Sequence, residues 1–229
     1  MLRFALLDAS HGTEHTRRNF RRELDAALVE FDVSAGDLPP DFDYDAVVVT
    51  GSRSSVYGSE PWIDDLLDWI GSAADRGLPI LGVCYGHQAL AAALGGQVES
   101  MGDYELGYRE VRTVDDDPLF AGIDTPFTAF QAHSDRVTAL PPGATRLAEN
   151  DRGVQAFRRG NCWGVQFHPE YDQSSAEEVA RGTDLPADRI QRVVDGIDDD
   201  AYDAACRTKR LFDNFVEHVR RHTVDEPPA

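Results

Sequence analysis

The sequence predicts an α/β protein with an open, mostly parallel sheet flanked by helices, additional antiparallel strands and a helical C-terminal elaboration. In the first half, short apolar runs typical of buried strands alternate with amphipathic segments typical of helices. In the second half, short strand-like segments are separated by Gly, Pro or Asp turns, and the chain becomes helical and acidic after residue 170. No repeat or low-complexity linker divides the 229 residues, so we expect one domain with a core at 1–170 and the elaboration at 171–222.

The elements of the first half follow from residue spacing. Apolar runs that end in polar or glycine loops predict buried strands at Arg3–Leu7, Asp45–Thr50 and Leu78–Val83. Apolar residues at intervals of three and four predict helices at Thr13–Phe31, Glu60–Arg76 and Tyr85–Leu94. Gly77 is expected to end the second of these helices. Short connections between such elements favour a parallel sheet that is covered on both faces.

The second half predicts more strands, some of them antiparallel, and then helices. The strand-like segments are Tyr108–Val114, Phe127–Phe130, Thr145–Glu149, Val154–Phe157 and Cys162–Phe167. The candidate helices are Ser174–Gly182, Ala187–Ile197 and Ala201–His222. We expect the tail from Thr223 onward to be frayed.

The charge balance restricts the class of function. With 41 acidic and 22 basic residues the net charge is −19, which argues against nucleic acid as a partner because such binding depends on clustered Lys and Arg. No apolar run approaches the ~20 residues of a membrane helix, and the apolar N-terminal stretch is too short for a signal peptide. The acids are 28 Asp and 13 Glu, and Lys209 is the only lysine. This composition resembles that of halophilic proteins from cells that hold multimolar salt.

The cysteines and two histidines give little sign of a metal or other cofactor. Cys84, Cys162 and Cys206 form no CxxC pair, which argues against a disulfide framework and favours a reducing cytoplasm. We interpret Cys162 and Cys206 as packing residues. His11 and His15 are four residues apart, but no third ligand accompanies them, so we interpret both as solvated and expect no metal and no cofactor.

Cys84 is the candidate nucleophile. It lies in Gly82-Val83-Cys84-Tyr85-Gly86, where a predicted strand turns directly into a helix, as in a nucleophile elbow with Cys in place of Ser. The helix N-terminus favours the thiolate, and the Tyr85 N–H would point toward a developing oxyanion. The flanking glycines are expected because Cβ atoms in so tight a turn would collide. Taken alone, the pattern also fits a buried core cysteine beside packing glycines.

A base and an orienting acid follow a later strand, in Gln166-Phe167-His168-Pro169-Glu170. Pro169 favours an extended backbone at His168, so that the imidazole can leave the sheet edge. Glu170 can then accept a hydrogen bond from the ring nitrogen that does not face the thiol. A lone His–Glu pair is common on protein surfaces. The two patterns together, each after a predicted strand, predict a catalytic triad of Cys84, His168 and Glu170.

The segments PILGVCYGHQALAAALGG and VQFHPE resemble the class I, triad-type glutamine amidotransferases. The nearest likeness is to the glutaminase domain of GMP synthase and to stand-alone proteins similar to it. The resemblance covers roughly residues 2–170 and implies a flavodoxin-like sheet, with Cys84 as nucleophile, His168 as general base and acid, and Glu170 as the orienting acid. It further implies that ammonia is released from L-glutamine through a cysteinyl γ-glutamyl thioester, for transfer to an acceptor on a separate synthetase partner.

The resemblance also implies further site residues by motif position. The oxyanion donors would be the backbone N–H groups of Gly51 and Tyr85, and the substrate-binding residues would be Ser52, Gln88, His133 and Ser134. Each also has an ordinary structural interpretation, as a surface amide, a strand end or a turn residue.

Departures from the family pattern leave three functions open. The chain contains no SGGxDS or Walker-type phosphate loop, so we expect that it does not activate a nucleotide itself. Ser134 replaces a usual Gly, and the region Tyr171–Ala205 is longer than in the free-standing glutaminase of this family. A γ-glutamyl peptidase or hydrolase, and a non-catalytic regulatory domain of the same fold, therefore stand beside the amidotransferase.

Overall fold

The structure is a computed structural model that describes residues 1–225, with side chains described through residue 222. Within this part of the chain the strands are β1 Arg3–Asp8, β2 Ala27–Asp32, β3 Ala46–Val49, β4 Ile80–Val83, β5 Gln97–Thr113, β6 Phe127–Ala139, β7 Thr145–Asn150, β8 Gly153–Arg159 and β9 Cys162–Val165. The α-helices are α1 Glu14–Glu23, α2 Pro61–Asp75, α3 Tyr85–Ala93, α4 Gln173–Arg181, α5 Ala187–Asp195, α6 Asp199–Cys206 and α7 Arg210–Asp225. None of these helices is long and apolar enough to cross a membrane.

The strands form one nine-stranded sheet in the order β2-β1-β3-β4-β9-β8-β7-β5-β6. The first five strands in this order are parallel, and the pairings from β9 through β6 are antiparallel. With β9 in the fifth place, the parallel part has the strand order of flavodoxin-like sheets. The predicted fold class is confirmed.

Buried side chains cover both faces of the sheet. Phe4 and Leu6 of β1 belong to one core cluster, together with apolar residues of α1 and α7. Ala5 and Leu7, which alternate with them, belong to a second cluster with apolar residues of α2 and α3. A third, smaller cluster joins α4 to β5 and β6. Helix α4 of the elaboration is therefore packed against β5 and β6, whereas α7 covers the face of the sheet that carries Phe4 and Leu6.

The predicted helix over 13–31 is wrong in its second half. α1 ends at Glu23, and residues 27–32 form β2, which pairs in parallel with β1 from Arg3 opposite Ala27 to Asp8 opposite Asp32. The apolar spacing in this segment fits a helix and a partly buried edge strand equally well. The hydrogen bonds to β1 decide in favour of the strand.

Two further predictions need correction. β5 and β6 are much longer than predicted, because their polar ends pair with each other in a long antiparallel ribbon. The helix predicted over 201–222 is two helices, separated by a 3₁₀ turn at Arg207–Lys209. There the hydroxyl of the buried Thr208 donates to the carbonyl of Ala205 at 2.7 Å, a contact that competes with helical hydrogen bonding. Helix α7 continues to Asp225, and the rest of the tail predicted to be frayed lies outside the described residues.

Candidate active site

The pairing of β4 with β9 brings the two predicted motifs to one edge of the sheet. The strands are parallel, with Val83 opposite Val165. Cys84 follows β4 directly, and its N–H donates to the carbonyl of Val165 at 2.8 Å. His168 lies three residues beyond β9. Because parallel strands end at the same edge, both side chains line the same cleft.

Cys84 lies in a strained turn that requires the glycines around it. Its backbone has φ 54° and ψ −105°, a combination that L-residues rarely adopt. A Cβ on Gly82 would lie 2.3 Å from the carbonyl oxygen of Gly86, and one on Gly86 would lie 2.2 Å from that of Val49. The predicted collisions are confirmed, and the turn holds Cys84 at the N-terminus of α3.

His168 lies between a thiol and a carboxylate. Its Nδ1 is 2.8 Å from Oε1 of Glu170, and both side chains are almost fully buried. Burial lowers the pKa of His168. The negative charges and hydrogen bonds of Cys84 and Glu170 outweigh this effect and raise the pKa to about 10. The raised pKa favours a protonated ring at neutral pH, with Nδ1 engaged by Glu170 and Nε2 left to face the sulfur of Cys84.

The chain just after Glu170 is fixed by α1. Arg22 donates to the carbonyl of Glu170 at 2.6 Å and to the carboxylate of Asp172 at 2.8 Å. Arg18 reaches the same carboxylate at 2.9 Å. Asp172 also caps α4 by accepting a hydrogen bond from the N–H of Ser175 at 2.8 Å. One acidic residue thus links α1, α4 and the end of the segment that carries His168.

The cleft has a volume of about 360 Å³ and contains almost all of the predicted site residues. Those that line it are Gly51, Ser52, Cys84, Gln88, His133, Ser134, His168 and Glu170. The side chain of Tyr85 instead points into the core, where its ring lies 5.7 Å from that of Trp62. As the first residue of α3, Tyr85 still has a backbone N–H without an acceptor inside the helix.

Gly51 lies directly beside the cysteine and the histidine. A Cβ built on it would be 3.1 Å from Cε1 of His168 and 3.7 Å from Cβ of Cys84. Any side chain at this position would press on the imidazole. The absence of one lets the backbone of residue 51 approach the reacting groups closely.

Gln88 is oriented by two buried acceptors. Its Nε2 donates to the carbonyl of Asp135 at 3.0 Å and to Oε1 of Gln166 at 3.1 Å. Both amide hydrogens are used inside the protein, so Gln88 can offer only its carbonyl oxygen to a ligand.

The structure also places residues at the cleft that the sequence reasoning missed. The ring of Tyr171 is stacked on His168, with centroids 4.1 Å apart and planes inclined by 19°. Tyr104 lines the cleft from β5.

His15 is buried at the cleft, with its Nδ1 3.3 Å from Oε2 of Glu178, so its interpretation as a solvated residue is wrong. His11 is exposed, as predicted. Tyr171 directly follows the His–Pro–Glu motif, and this position could have predicted that it lies at the site. The helix pattern around His15 gave no indication that this residue is buried.

The elaboration forms one wall of this cleft. Val179, Gly182, Thr183 and Asp184, from the end of α4 and the loop after it, are lining residues. Nη2 of Arg53, another lining residue, is 3.6 Å from a Cβ built on Gly182. The segment after residue 170 therefore shapes the space available to a substrate.

The cleft at the carboxyl end of the parallel strands holds a cysteine, a histidine and a glutamate. This arrangement is typical of enzymes that use a cysteine nucleophile on amides. The sequence profile described as glutamine amidotransferase class-I matches residues 6–181, and the chain belongs to this family. The resemblance seen in the sequence motifs is confirmed.

Relatives in this family include two proteins named GMP synthase [glutamine-hydrolyzing]. That of Pyrobaculum aerophilum is 39% identical over 164 residues, which are 66% of this chain and 31% of the relative. That of Thermomicrobium roseum is 36% identical over 165 residues, which are 70% of this chain and 30% of the relative. The matched region thus spans about a third of the length of these relatives.

Solved structures share the fold. A glutamine amidotransferase of Thermotoga maritima has a TM-score of 0.79 at 23% identity, covering 95% of this chain and 97% of that one. A glutamine amidotransferase of Methylobacillus flagellatus has a TM-score of 0.73 at 20% identity, covering 94% of this chain and 94% of that one.

Proposed function

We propose that the protein hydrolyses the side-chain amide of L-glutamine and passes the ammonia to an acceptor on a separate synthetase partner. The observation that carries the proposal is the convergence of Cys84, His168 and Glu170 in one cleft. Membership of the family and the glutamine-hydrolysing relatives support it.

In the first half-reaction, the thiolate of Cys84 attacks the side-chain carbonyl carbon of glutamine. The backbone N–H groups of Tyr85 and Gly51 hold the oxyanion, and each such donor lowers the barrier by about 3 kcal/mol in measured cases. The imidazolium of His168 gives its proton to the departing nitrogen. The C–N bond breaks, ammonia leaves, and a γ-glutamyl thioester remains on Cys84.

In the second half-reaction, the neutral His168 takes a proton from water, whose oxygen attacks the thioester carbon. The C–S bond breaks, glutamate leaves, and the thiolate–imidazolium pair is restored. Glu170 keeps the ring in place at Nδ1 throughout and stabilises its charge.

The substrate would be held by groups around this centre. The carbonyl oxygen of Gln88 would accept a hydrogen bond from a substrate N–H, because both hydrogens of its amide are engaged elsewhere. Ser52 and the segment of His133 and Ser134 would contact the rest of the molecule from two walls of the cleft.

Labelling and turnover test the proposal together. A glutamine-derived diazoketone should alkylate Cys84 and neither Cys162 nor Cys206, and Cys84→Ala should abolish the label. Ammonia should be released from glutamine in high salt. Failure of both would favour a regulatory domain that kept the fold.

A second candidate, a γ-glutamyl peptidase, is favoured by the wall formed by the elaboration, since residues 179–184 could contact the amine side of a larger substrate. The ratio of kcat/KM for glutamine and for a γ-glutamyl dipeptide decides between the two. A ratio in favour of the dipeptide would replace glutamine as the substrate.

We further assign the protein to a reducing cytoplasm at high salt. The three cysteines are free, and Cys206 is only partly buried. The excess of Asp and the single lysine support the saline setting.

The synthetase partner has a test of its own. A pull-down at high salt that recovers no nucleotide-activating enzyme would count against that partner.

A further inference from the structure

Arg, Asp and Glu side chains of the described residues line the cleft at four positions, and the protein itself engages only two of them. The four are Arg53, Asp135, Glu170 and Asp184. Oε1 of Glu170 lies 2.8 Å from Nδ1 of His168. The carboxylate of Asp135 accepts hydrogen bonds from the hydroxyls of Ser55 and Tyr57. The charges of Arg53 and Asp184 therefore remain open to a ligand.

Arg53 and Asp184 are exposed and carry opposite charges. Over residues 1–222, neither side chain has a hydrogen-bond or ion-pair partner, and the two do not pair with each other. Asp184 does not cap the helix that follows it, because the N-cap residue of α5 is Pro186. No contact inside the described part of the chain thus accounts for either charge.

The two charges flank the same part of the cleft. Nη2 of Arg53 is 3.6 Å from a Cβ built on Gly182, at the end of α4. Asp184 follows two residues after Gly182, and its side chain lines the same cleft. A small ligand can therefore meet a guanidinium group and a carboxylate at once.

This pair of charges is close to the reacting groups. Arg53 follows Gly51 by two residues, so their Cα atoms are at most about 7 Å apart. A Cβ built on Gly51 would lie 3.7 Å from Cβ of Cys84. Burial raises the pKa of Tyr171 well above its usual value, and the positive charge of Arg53 opposes this rise. The guanidinium group is thus near the ring that is stacked on His168.

An open cation and an open anion in one cleft match a zwitterion. The α-amino acid end of L-glutamine carries a carboxylate and an ammonium group on the same carbon. A guanidinium group binds a carboxylate through two parallel N–H···O hydrogen bonds, and a carboxylate accepts hydrogen bonds from an ammonium group. The side-chain amide lies at the other end of the molecule, where the cysteine would attack it.

We propose that Arg53 binds the α-carboxylate and Asp184 the α-ammonium group of the substrate. The two residues then select a free amino acid or an N-terminal γ-glutamyl group. They reject a glutamine residue within a peptide chain, whose α-groups are neutral amides and would leave both charges unpaired. The proposal rests on the proposed function, and it holds for L-glutamine and γ-glutamyl peptides alike because both carry this zwitterion.

Ligands that lack one charge test the assignment without turnover. In the Cys84→Ala background, calorimetry should show that L-glutamine binds roughly tenfold more tightly than 4-aminobutanamide, which lacks the α-carboxylate. It should also bind roughly tenfold more tightly than glutaric acid monoamide, which lacks the α-ammonium group. Both analogues keep the side-chain amide and the carbon chain, and neither adds bulk.

Two substitutions in this background should have crossed effects. Arg53→Met should abolish the advantage of L-glutamine over 4-aminobutanamide and keep its advantage over glutaric acid monoamide. Asp184→Asn should do the reverse. A general distortion of the cleft would instead weaken all three ligands alike. That result, or unchanged binding of L-glutamine in either variant, would overturn the proposal.

Arg76→Met and Asp68→Asn are the matched controls. Both residues belong to α2 or its C-cap, are exposed and do not line the cleft. Each control removes the same charge as its counterpart and so changes the overall field of the acidic chain equally. All three affinities should stay unchanged. A control that weakens L-glutamine as much as the cleft variants do would mean that net charge is responsible, and it would overturn the assigned contacts.

Kinetics with Cys84 in place separate this proposal from the proposed function. Arg53→Met and Asp184→Asn should each raise KM for L-glutamine roughly tenfold. Ammonia release with an unchanged KM in both variants would overturn the zwitterion site and leave the proposed function intact. Charge-dependent binding of L-glutamine without ammonia release would contradict the proposed function alone.

Discussion

Tyr171 and His168 lie face to face, with ring centroids 4.1 Å apart and planes inclined by only 19°. The phenol ring covers the imidazole on one face, while Gly51 approaches it closely and Glu170 holds it at Nδ1. Orientation of the ring is thus fixed by packing as well as by hydrogen bonding.

Removing this cover should slow turnover. Aromatic pairs contribute about 0.5–1.5 kcal/mol, so Tyr171→Ala should lower kcat roughly 2- to 12-fold. Tyr171→Phe keeps the stacked ring and should retain nearly all activity. Steady-state kinetics of the two variants check this, and equal losses in both would point to the hydroxyl instead.

The strain at Cys84 should be visible as a cost in stability. Cys84→Ala and Cys84→Gly should both be inactive, by roughly 10⁴-fold or more. Glycine adopts a positive φ freely, so the glycine variant should be more stable than the alanine variant by about 1 kcal/mol. Urea unfolding of the two variants measures the difference. Equal stabilities would mean that the turn is not strained.

Gly51→Ala should impair chemistry more than stability. The added methyl would meet Cε1 of His168 at 3.1 Å and displace the ring or the oxyanion donor, which costs about 10²- to 10³-fold in kcat. Gly71→Ala, in the interior of α2 with no atom closer than 3.8 Å, is the matched control. It should leave kcat unchanged and stabilise the helix by about 0.5–1 kcal/mol. Normal kinetics in Gly51→Ala would remove residue 51 from the site.

The raised pKa of His168 gives a defined pH dependence. The folded state binds this proton more tightly than the unfolded state, whose histidine has a value of 6.5. The stabilisation is therefore complete below pH 6.5 and is lost as pH rises through about 10. The free energy of unfolding should fall across this window more steeply in the wild-type protein than in His168→Gln. The alkaline limb of kcat should fall near pH 10, because the neutral ring cannot protonate departing ammonia. Parallel stability curves for the two proteins would contradict the assigned pKa.

Salt should stabilise the protein strongly. Between about 0.1 M and 3 M KCl the screening length falls from ~10 Å to below ~3 Å, which weakens repulsion among the excess acids. We expect Tm to rise with KCl well beyond the rise produced by sucrose, which favours compact states without screening charge. A Tm independent of KCl would argue against adaptation to high salt.

Strands whose residues are all buried were predictable from the sequence, and edge strands were not. β3 and β4 are apolar at every position, so their pattern has one interpretation. β2 mixes exposed, half-buried and buried residues, and only its pairing with β1 distinguishes it from a helix. The unpredicted halves of β5 and β6 carry only scattered apolar residues, such as Leu106 and Val137, and each half pairs with the other strand.

The candidate site divides in the same way. Cys84, His168 and Glu170 were predictable because each lies in a short motif directly after a strand. The contact of Glu105 with His133, whose Oε2 and Nε2 are 3.0 Å apart, was not predictable. The two residues are brought opposite each other only by the register of β5 and β6. Burial of His15 likewise depends on α4, which is distant in sequence.

The bridge made by Asp172 has a consequence for engineering. Its carboxylate accepts from Arg18 and Arg22 of α1 and from the first turn of α4. Grafting the segment from residue 171 onward onto another scaffold, or exchanging it between relatives, would separate this carboxylate from both guanidinium groups. The C-terminal helices can therefore be transferred only together with the first helix. A chimera should exchange both segments of the chain at once.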